Sequence, residues 1–201
     1  AFFAMGIAQQ IQKPVAVVCT SGSAVLNYYP AVAEAFYSQI PLVVLSADRP
    51  QNKIDIGDGQ TIRQENVFAN HILFSANLTE LTSKENDSLI NQAINSAIEN
   101  LGPVHINIPF EEPLYDTVET LEVTSEIIPM SQPLYDFELD KKFISQWNQA
   151  KKKLILVGEL FPNTLETAII EKLGANESIV VLTEATSNLH HPSFITNIDS
   201  L

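Results

Sequence analysis

The stretch PVAVVCTSGSAVLNYYPAVAEAFYSQIPLVVLSADRPQNKIDIGDGQTIRQ, residues Pro14 to Gln64, decides the fold. An apolar run, Val15 to Val18, leads into the small-residue turn Thr20-Ser21-Gly22-Ser23 and then into a helical pattern. A second apolar run, Leu42 to Leu45, ends at a polar loop that opens with Asp48, Arg49 and Pro50. Strand, turn, helix, strand and loop in that order are the grammar of an α/β fold with a parallel sheet flanked by helices. In such sheets ligands bind beyond the carboxyl ends of the strands, which directs attention to the Ser21-Gly22-Ser23 turn and to the loop after Ala47.

Working outward, the segment Ala24 to Ser38 places Val25, Tyr28, Tyr29, Val32 and Phe36 near one face, with Pro30 inside the pattern. Proline lacks the backbone donor and clashes with the preceding turn, so the regular helix is expected to begin near Pro30 or bend there. The loop after Ser46 runs to about twenty residues, longer than structureless connections usually are, and a short helix is expected over Gln60 to Phe68. A strand follows over His71 to Ala76. Thr82 with Glu85 resembles a capping box before an amphipathic helix carrying Leu89, Ile90, Ala93, Ile94, Ala97 and Ile98. Gly102-Pro103 stops it, and the strand Val104 to Ile108 sets Val104, Ile106 and Ile108 on one side and His105 and Asn107 on the other.

Before this block, Phe3, Ile7 and Ile11 recur four apart, with Ala4 and Ala8 beside them, as a helical apolar stripe, read as the end of a buried helix in which Gly6 allows close approach to the sheet. With no initiator Met or N-cap ahead of it, the chain is expected to be a fragment or the ordered part of a longer protein. From Phe110 the pattern dissolves into Glu111, Glu112, Pro113, Pro129 and Pro133. The expected division is therefore 1–109, a linker over 110–137, and the first part of a second α/β domain over 138–201. That second part reads as a helix through Trp147, a strand Leu154 to Val157, a helix Thr164 to Leu173 and a strand Ile179 to Leu182.

Composition narrows the function classes. Of 201 residues 45% are hydrophobic, enough for one or two cored domains, and the net charge of −13 argues against nonspecific binding to nucleic acid or anionic membrane. Cys19 has no intrachain partner and reads as a buried, inert thiol, so a reducing cytoplasm is the expected location. No apolar run approaches a membrane span, and no glycine pattern of dinucleotide or P-loop sites occurs.

Among single residues, Ser21-Gly22-Ser23 either presents backbone N–H groups to a ligand or is an ordinary turn with Ser23 as N-cap. Arg49 either clamps a substrate carboxylate or pairs with Asp48 or Asp55. Gln60 offers a donor and an acceptor, which a plain loop amide would also offer. His71 and His105 suit structural roles, the His190-His191 pair lacks a ligand frame, and the lysines at 151 to 153 suit a helix C-terminus.

The ordered set TSGSAVLNYYPAVAEA, PLVVLSADRP, DIGDGQTIRQ and GPVHINIPFEEPLY, with the later LHHPSFITNID, resembles the thiamine-diphosphate-dependent enzymes, and among them the carboligase family of menaquinone biosynthesis. The resemblance implies the later part of a pyrimidine-binding domain followed by the start of a central domain. It implies a transferase that decarboxylates 2-oxoglutarate and adds the succinyl-semialdehyde carbanion to isochorismate, using thiamine diphosphate and a divalent metal, magnesium or manganese. Arg49 and Gln60 match substrate-binding positions, and Ser21, Gly22 and Ser23 match the turn near the cofactor's pyrimidine end. An activating glutamate is expected upstream of Ala1, the metal site outside this chain, and the assembly as a homodimer or homotetramer. The piece alone is expected to be inactive. Gly57-Asp58-Gly59 with Asn86 imitates the family's metal-diphosphate motif, but it does not close a strand and Asn86 falls in a surface helix. Two alternatives remain: an acetolactate-synthase-like 2-oxo-acid decarboxylase, or a noncatalytic α/β binding module.

Overall fold

The computed structural model describes residues 1–115, 117–121, 123–129 and 139–197. The chain divides into two units, Ala1–Gln132 and Pro133–Leu201. In the first, the expected parallel sheet forms from β1 (Val15–Cys19), β2 (Leu42–Asp48), β3 (Phe74–Asn77) and β4 (Val104–Pro109), in the order β1-β2-β4-β3 with every pairing parallel. Helices α1 (Phe2–Ile11) and α2 (Tyr29–Tyr37) cover one face, and α3 (Lys84–Glu99) covers the other.

Strand alternation distributes the core between the two faces. Leu42 and Val44 pack with Ala8, Val25, Val32, Ala35 and Phe68 on the α1–α2 side. Val43, Val104 and Ile106 pack with Ala76, Ala93 and Ala97 on the α3 side. Small residues at the helix contacts let α3 lie close to the strands. At Gly102 an added Cβ would meet the Leu73 side chain at 2.6 Å, so a larger residue there would require Leu73 to shift.

Several sequence expectations need correction. Only part of the expected stripe is buried: Phe3, Ile7 and Ile11 are exposed, Phe3 to 84%, while Ala4 and Ala8, joined by Met5, pack into the core. An added Cβ at Gly6 would meet nothing within 4 Å among the described residues, so the expected close approach to the sheet does not occur there. Gln60 to Phe68 is not helical. Gln60 and Asn66 take positive φ, which breaks any helix, and the chain instead makes successive turns through Val67 N to Gln64 O and Ala69 N to Asn66 O. The third strand begins at Phe74 rather than His71, whose N–H closes a turn on Phe68 O.

The regular helix does start beside Pro30, as its missing donor requires, preceded by a 3₁₀ segment over Gly22–Tyr28. The cap of α3 is Ser83, not Thr82, because Ser83 Oγ accepts the Asn86 N–H at 3.1 Å. The side chain of Asn86 is engaged elsewhere: it accepts from Thr79 N and donates to Thr79 O and Leu81 O, stapling the β3–α3 loop. That employment also removes it from any metal role.

In the expected linker, the described residues form no helix or strand. Part of it straps α3, with Ile128 N–H donating to Asn91 and Asn91 donating to Glu126 O. Residues 116, 122 and 130–137 of that segment lie outside the described residues.

The second unit pairs β5 (Lys153–Leu156) in parallel with β6 (Ile179–Leu182), joined through α5 (Thr167–Gly174) and preceded by α4 (Lys141–Gln149). Ile155, Val181, Ile170, Leu173 and Phe194 share its core. Lys153 lies past the end of α4, where it donates to Ala150 O and sits 5.7 Å over the Trp147 ring. Among the described residues, no helix is long and apolar enough to cross a membrane.

The cap residue Ser83 and the loop staple Asn86 should separate in magnitude. Ser83→Ala removes one N-cap bond and should cost about 1 kcal/mol. Asn86→Ala strips three loop contacts around a buried position and should cost roughly 2 to 3 kcal/mol. Urea unfolding of the intact protein, comparing midpoints of the transition that carries α3, measures both.

Candidate functional site

The α1–α2 face of the sheet is apolar along most of its length and turns polar at the carboxyl ends. Strand register dictates the change. Ser46 continues the parity of Leu42 and Val44, and its partners across the sheet are Cys19 on one side and Asn107 on the other, with Asn77 beyond Asn107. One step earlier, Val17, Val44, His105 and Ser75 form the preceding rung. Three strands, β2, β4 and β3, thus deliver Ser46, His105, Asn107 and Asn77 to one end of one face.

Gln64, from the loop after β2, descends onto this rung and is only 1% exposed for its whole residue. Its Oε1 accepts the Gly22 N–H at 2.7 Å. Its Nε2 donates to Ala47 O at 2.9 Å and to Asn107 Oδ1 at 2.8 Å, with Ser46 Oγ at 3.3 Å. Asn107 Nδ2 then donates to Asp48 Oδ2 at 2.7 Å and Asn77 Oδ1 at 2.8 Å. Asp48 Oδ1 accepts the Arg49 N–H at 2.8 Å. A buried amide that fills both of its ends this way ties the Gly22 turn to β2 and β4, and through Asn107 to β3.

The orientation of His105 follows from the same accounting. Ser46 Oγ donates to Asn107 Oδ1 at 2.9 Å, so its contact of 2.7 Å with His105 Nε2 has the imidazole as donor. Nδ1 is then an unprotonated nitrogen, and it has no partner among the described residues. The ring stands edge-on to Phe68 at 5.2 Å between centroids. Burial pulls its pKa from 6.5 to about 4, so it is neutral at neutral pH.

Each expected site residue can now be placed. Gly22 is buried at φ +82°, and a Cβ there would approach the Gln60 carbonyl oxygen at 3.0 Å, so glycine is required on both counts. The structure therefore brings the Gly22 turn and the Gln60 backbone together, while the Gln60 side chain is exposed. Ser21 is buried and Ser23 exposed. The reading of Ser23 as N-cap fails, because the 3₁₀ segment begins at Gly22 with Ser21 in the cap position and no side-chain cap bond. Arg49 pairs with neither Asp48 nor Asp55 through its side chain. Its Nη1 donates to Glu112, which raises its pKa, and its Nε is buried without a partner among the described residues. Asp55 pairs with Arg63 instead, at 2.9 Å.

Two adjoining cavities open above this network, about 490 and 290 Å³, and both are walled by Asp48, Gln51 and Asn77. The larger also touches Gln64 and Arg63, and the smaller Arg49 and Asn107. A third cavity of about 430 Å³, mainly apolar, lies against Leu81, Ile90 and Phe110 and shares none of these polar groups.

Among the described residues, no group of three or more His, Cys, Asp or Glu is placed to hold a metal ion. His71 donates to or accepts from Tyr29 OH at 2.9 Å within an aromatic cluster, and His191 contacts Ser193 and Glu171. Cys19 is half-buried, and burial pushes its thiol pKa up. Sequence reasoning missed Gln64, Ser46, Asn107 and Asn77. The available signal was parity, since Ser46 shares the Leu42–Val44 face and His105 and Asn107 oppose Val104 and Ile106.

Residues 1–72 match the family described as thiamine pyrophosphate enzyme, N-terminal TPP binding domain. Over all 201 residues the chain is 64% identical to a 2-succinyl-5-enolpyruvyl-6-hydroxy-3-cyclohexene-1-carboxylate synthase of Flavobacterium psychrophilum, covering 36% of it. A synthase of the same name from Flavobacterium johnsoniae is 65% identical over 204 aligned residues, with 100% of this chain and 37% of the relative covered. That from Desulfotalea psychrophila is 36% identical, with 100% and 39% covered. The chain thus spans a little over a third of the length of these relatives. Benzoylformate decarboxylase from Polynucleobacter necessarius shares the fold, with a TM-score of 0.63 and 18% identity over 89% of this chain and 33% of that one.

The neutral, buried His105 makes stability depend on pH. In the unfolded chain the imidazole takes up a proton near pH 6.5, and in the folded chain only near 4. Its contribution is therefore complete above 6.5, declines as pH falls through that window, and is gone below 4; linkage gives it a size on the order of 3 kcal/mol. Denaturation midpoints at pH 7 and pH 5 should differ more for the wild type than for His105→Gln, which keeps a donor for Ser46 but does not titrate.

Proposed function

We propose, from the premise that this chain is a segment of the thiamine pyrophosphate enzyme family, that it forms part of a 2-succinyl-5-enolpyruvyl-6-hydroxy-3-cyclohexene-1-carboxylate synthase. The intact enzyme would be a transferase that decarboxylates 2-oxoglutarate and adds the remaining four-carbon unit to isochorismate, in menaquinone biosynthesis. The observation that carries this reading is 64% identity, without loss of any part of this chain, to a protein of that name. We assign residues 1–109 to the later part of the pyrimidine-binding domain, 110–137 to a linker and 138–201 to the start of the central domain.

The residues present fit the pyrimidine end of the cofactor and not its diphosphate end. The Gly22 N–H is spent on Gln64 and its Cβ-less side is filled by the Gln60 carbonyl, so the turn itself is packed inward, and the exposed Ser23 beside it would be the part to meet the ring. We assign magnesium or manganese and the diphosphate to parts of the assembly outside this chain, as the family resemblance implies. When bound, the cofactor supplies the electron sink that decarboxylation and carbon–carbon bond formation require.

This chain's own contribution is position and charge. Both substrates are carboxylates, and Arg49 brings a guanidinium to the end of β2, steadied on one side by Glu112 and with its main chain fixed by Asp48. A guanidinium matches a carboxylate in shape and charge, so Arg49 would orient substrate for attack. Gln60, exposed on the loop that abuts the Gly22 turn, would offer its amide to a hydroxyl or carboxylate. Gln64 acts on neither substrate directly; it locks the turn and the strand ends in one arrangement. Because this chain contributes one wall of the site, a homodimer or homotetramer would complete it, in the cytoplasm, and the segment alone would be inactive.

The test is the loss of isochorismate absorbance catalysed by the intact protein, with and without 2-oxoglutarate, thiamine diphosphate and magnesium. Loss that requires all three, with formation of the adduct, is expected; no loss by folded, cofactor-saturated protein would defeat the assignment. Arg49→Ala in that protein should lower kcat/KM about 10- to 100-fold, as loss of one charge-assisted contact predicts, while the melting temperature moves little.

A further inference from the structure

The polar rung has a direction, and it ends on a group for which the reading above provides no use. A backbone N–H can only donate, so Gly22 forces oxygen on the near end of Gln64 and nitrogen on the far end. The Ala47 carbonyl can only accept, which independently fixes the same orientation. Gln64 therefore presents a donor to Asn107, which must answer with Oδ1, and both hydrogens of Asn107 Nδ2 are then spent on Asp48 Oδ2 and Asn77 Oδ1. Asn77 is thereby compelled to turn its oxygen inward. Its Nδ2, with two N–H donors, is left on the outward side of a residue that is exposed and stands in the walls of both strand-end cavities.

The same accounting removes Asp48 as a rival for that role. One of its oxygens accepts from Asn107 and the other from the Arg49 main chain, so its charge is directed into the protein. Arg49 shares the smaller cavity with Asn77, and Glu80 is the other carboxylate in its wall, exposed to solvent. A cation and an aimed neutral donor on one cavity wall form a pair suited to a carboxylate: one supplies charge, the other a fixed direction.

We propose that Asn77 is a substrate-positioning residue whose side-chain N–H groups hydrogen-bond a carboxylate oxygen of a substrate seated on Arg49. This rests on the synthase reading for the identity of the substrates, but not for the orientation of the amide. Gln64 and Asn107 act on that contact through Asn77 and serve as the relay that holds its amide the right way round.

Asn77→Asp in the intact protein is the sharpest test, because it keeps an oxygen for Asn107 and exchanges the outward donor for an anion of nearly the same shape. It should raise KM for 2-oxoglutarate or isochorismate at least about tenfold with kcat largely kept, and Asn77→Ala should raise the same KM by about three- to fivefold. Calorimetric titration with 2-oxoglutarate and with isochorismate reads the same change as a loss of affinity and needs no turnover. Wild-type KM and affinity in both variants would overturn the inference alone. So would equal falls in kcat and melting temperature with unchanged KM, the mark of a structural role. A wild type that binds both anions without consuming them would defeat the synthase reading, and weaker binding in Asn77→Asp would still uphold the inference. A wild type that binds neither anion would overturn both.

Discussion

Everything at the functional end of this molecule depends on one hydrogen bond, from the Gly22 main chain to Oε1 of Gln64. It joins the turn after β1 to a side chain that also holds the ends of β2 and β4, so three segments far apart in sequence share one buried amide. Its geometry is possible only because residue 22 is glycine at positive φ, with the Gln60 carbonyl already in the space a Cβ would take. Backbone conformation at one residue therefore sets side-chain orientation at the next three. An amide chain transmits direction because each carboxamide has one accepting and one donating end.

Such a rung is costly to build and stable only when complete. Polar groups lose several hydrogen bonds to water on burial, and the network returns them nearly one for one. Two atoms at its margin are left over among the described residues, Arg49 Nε and His105 Nδ1. They differ in kind. The His105 nitrogen is an acceptor facing an aromatic and apolar neighbourhood, which keeps the ring neutral and costs less than a stranded donor would. Arg49 Nε is a donor on a charged group at the edge of a cavity, beside the face where a carboxylate would arrive. The first reads as structure, and the second is the one that the proposed substrate contact would use.

The fold was largely legible in the sequence because apolar alternation and turn residues both act locally. The runs at 15–18, 42–45 and 104–108 became strands, and Pro30 set the start of α2. Errors arose where two local patterns competed. In FFAMGIAQQI apolar residues cover more than one side of the helix, and only packing against the sheet selects Ala4, Met5 and Ala8 over Phe3, Ile7 and Ile11. At Gln60–Phe68 two residues at positive φ defeated a helix that composition alone allowed.

The site was less legible for a physical reason. Arg49, Gln60 and the Ser21–Ser23 turn could be singled out because each is conspicuous in its own segment, but what orders them is the register of four strands. Ser46, Asn107 and Asn77 carry ordinary polar side chains whose meaning comes from sharing one rung, and strand register is a nonlocal property. Gln64 is harder still, since its segment reads as loop and nothing local distinguishes it from Gln60 four residues earlier. Burial separates them: the exposed Gln60 side chain is free to meet a ligand, whereas Gln64 has every hydrogen-bonding end engaged within the protein. The loop that carries both is thereby divided by function, with an outward amide at its start and an inward anchor at its end. Its unusual length follows from that division, because the chain must cross the ends of the strands before it can return an amide to their core.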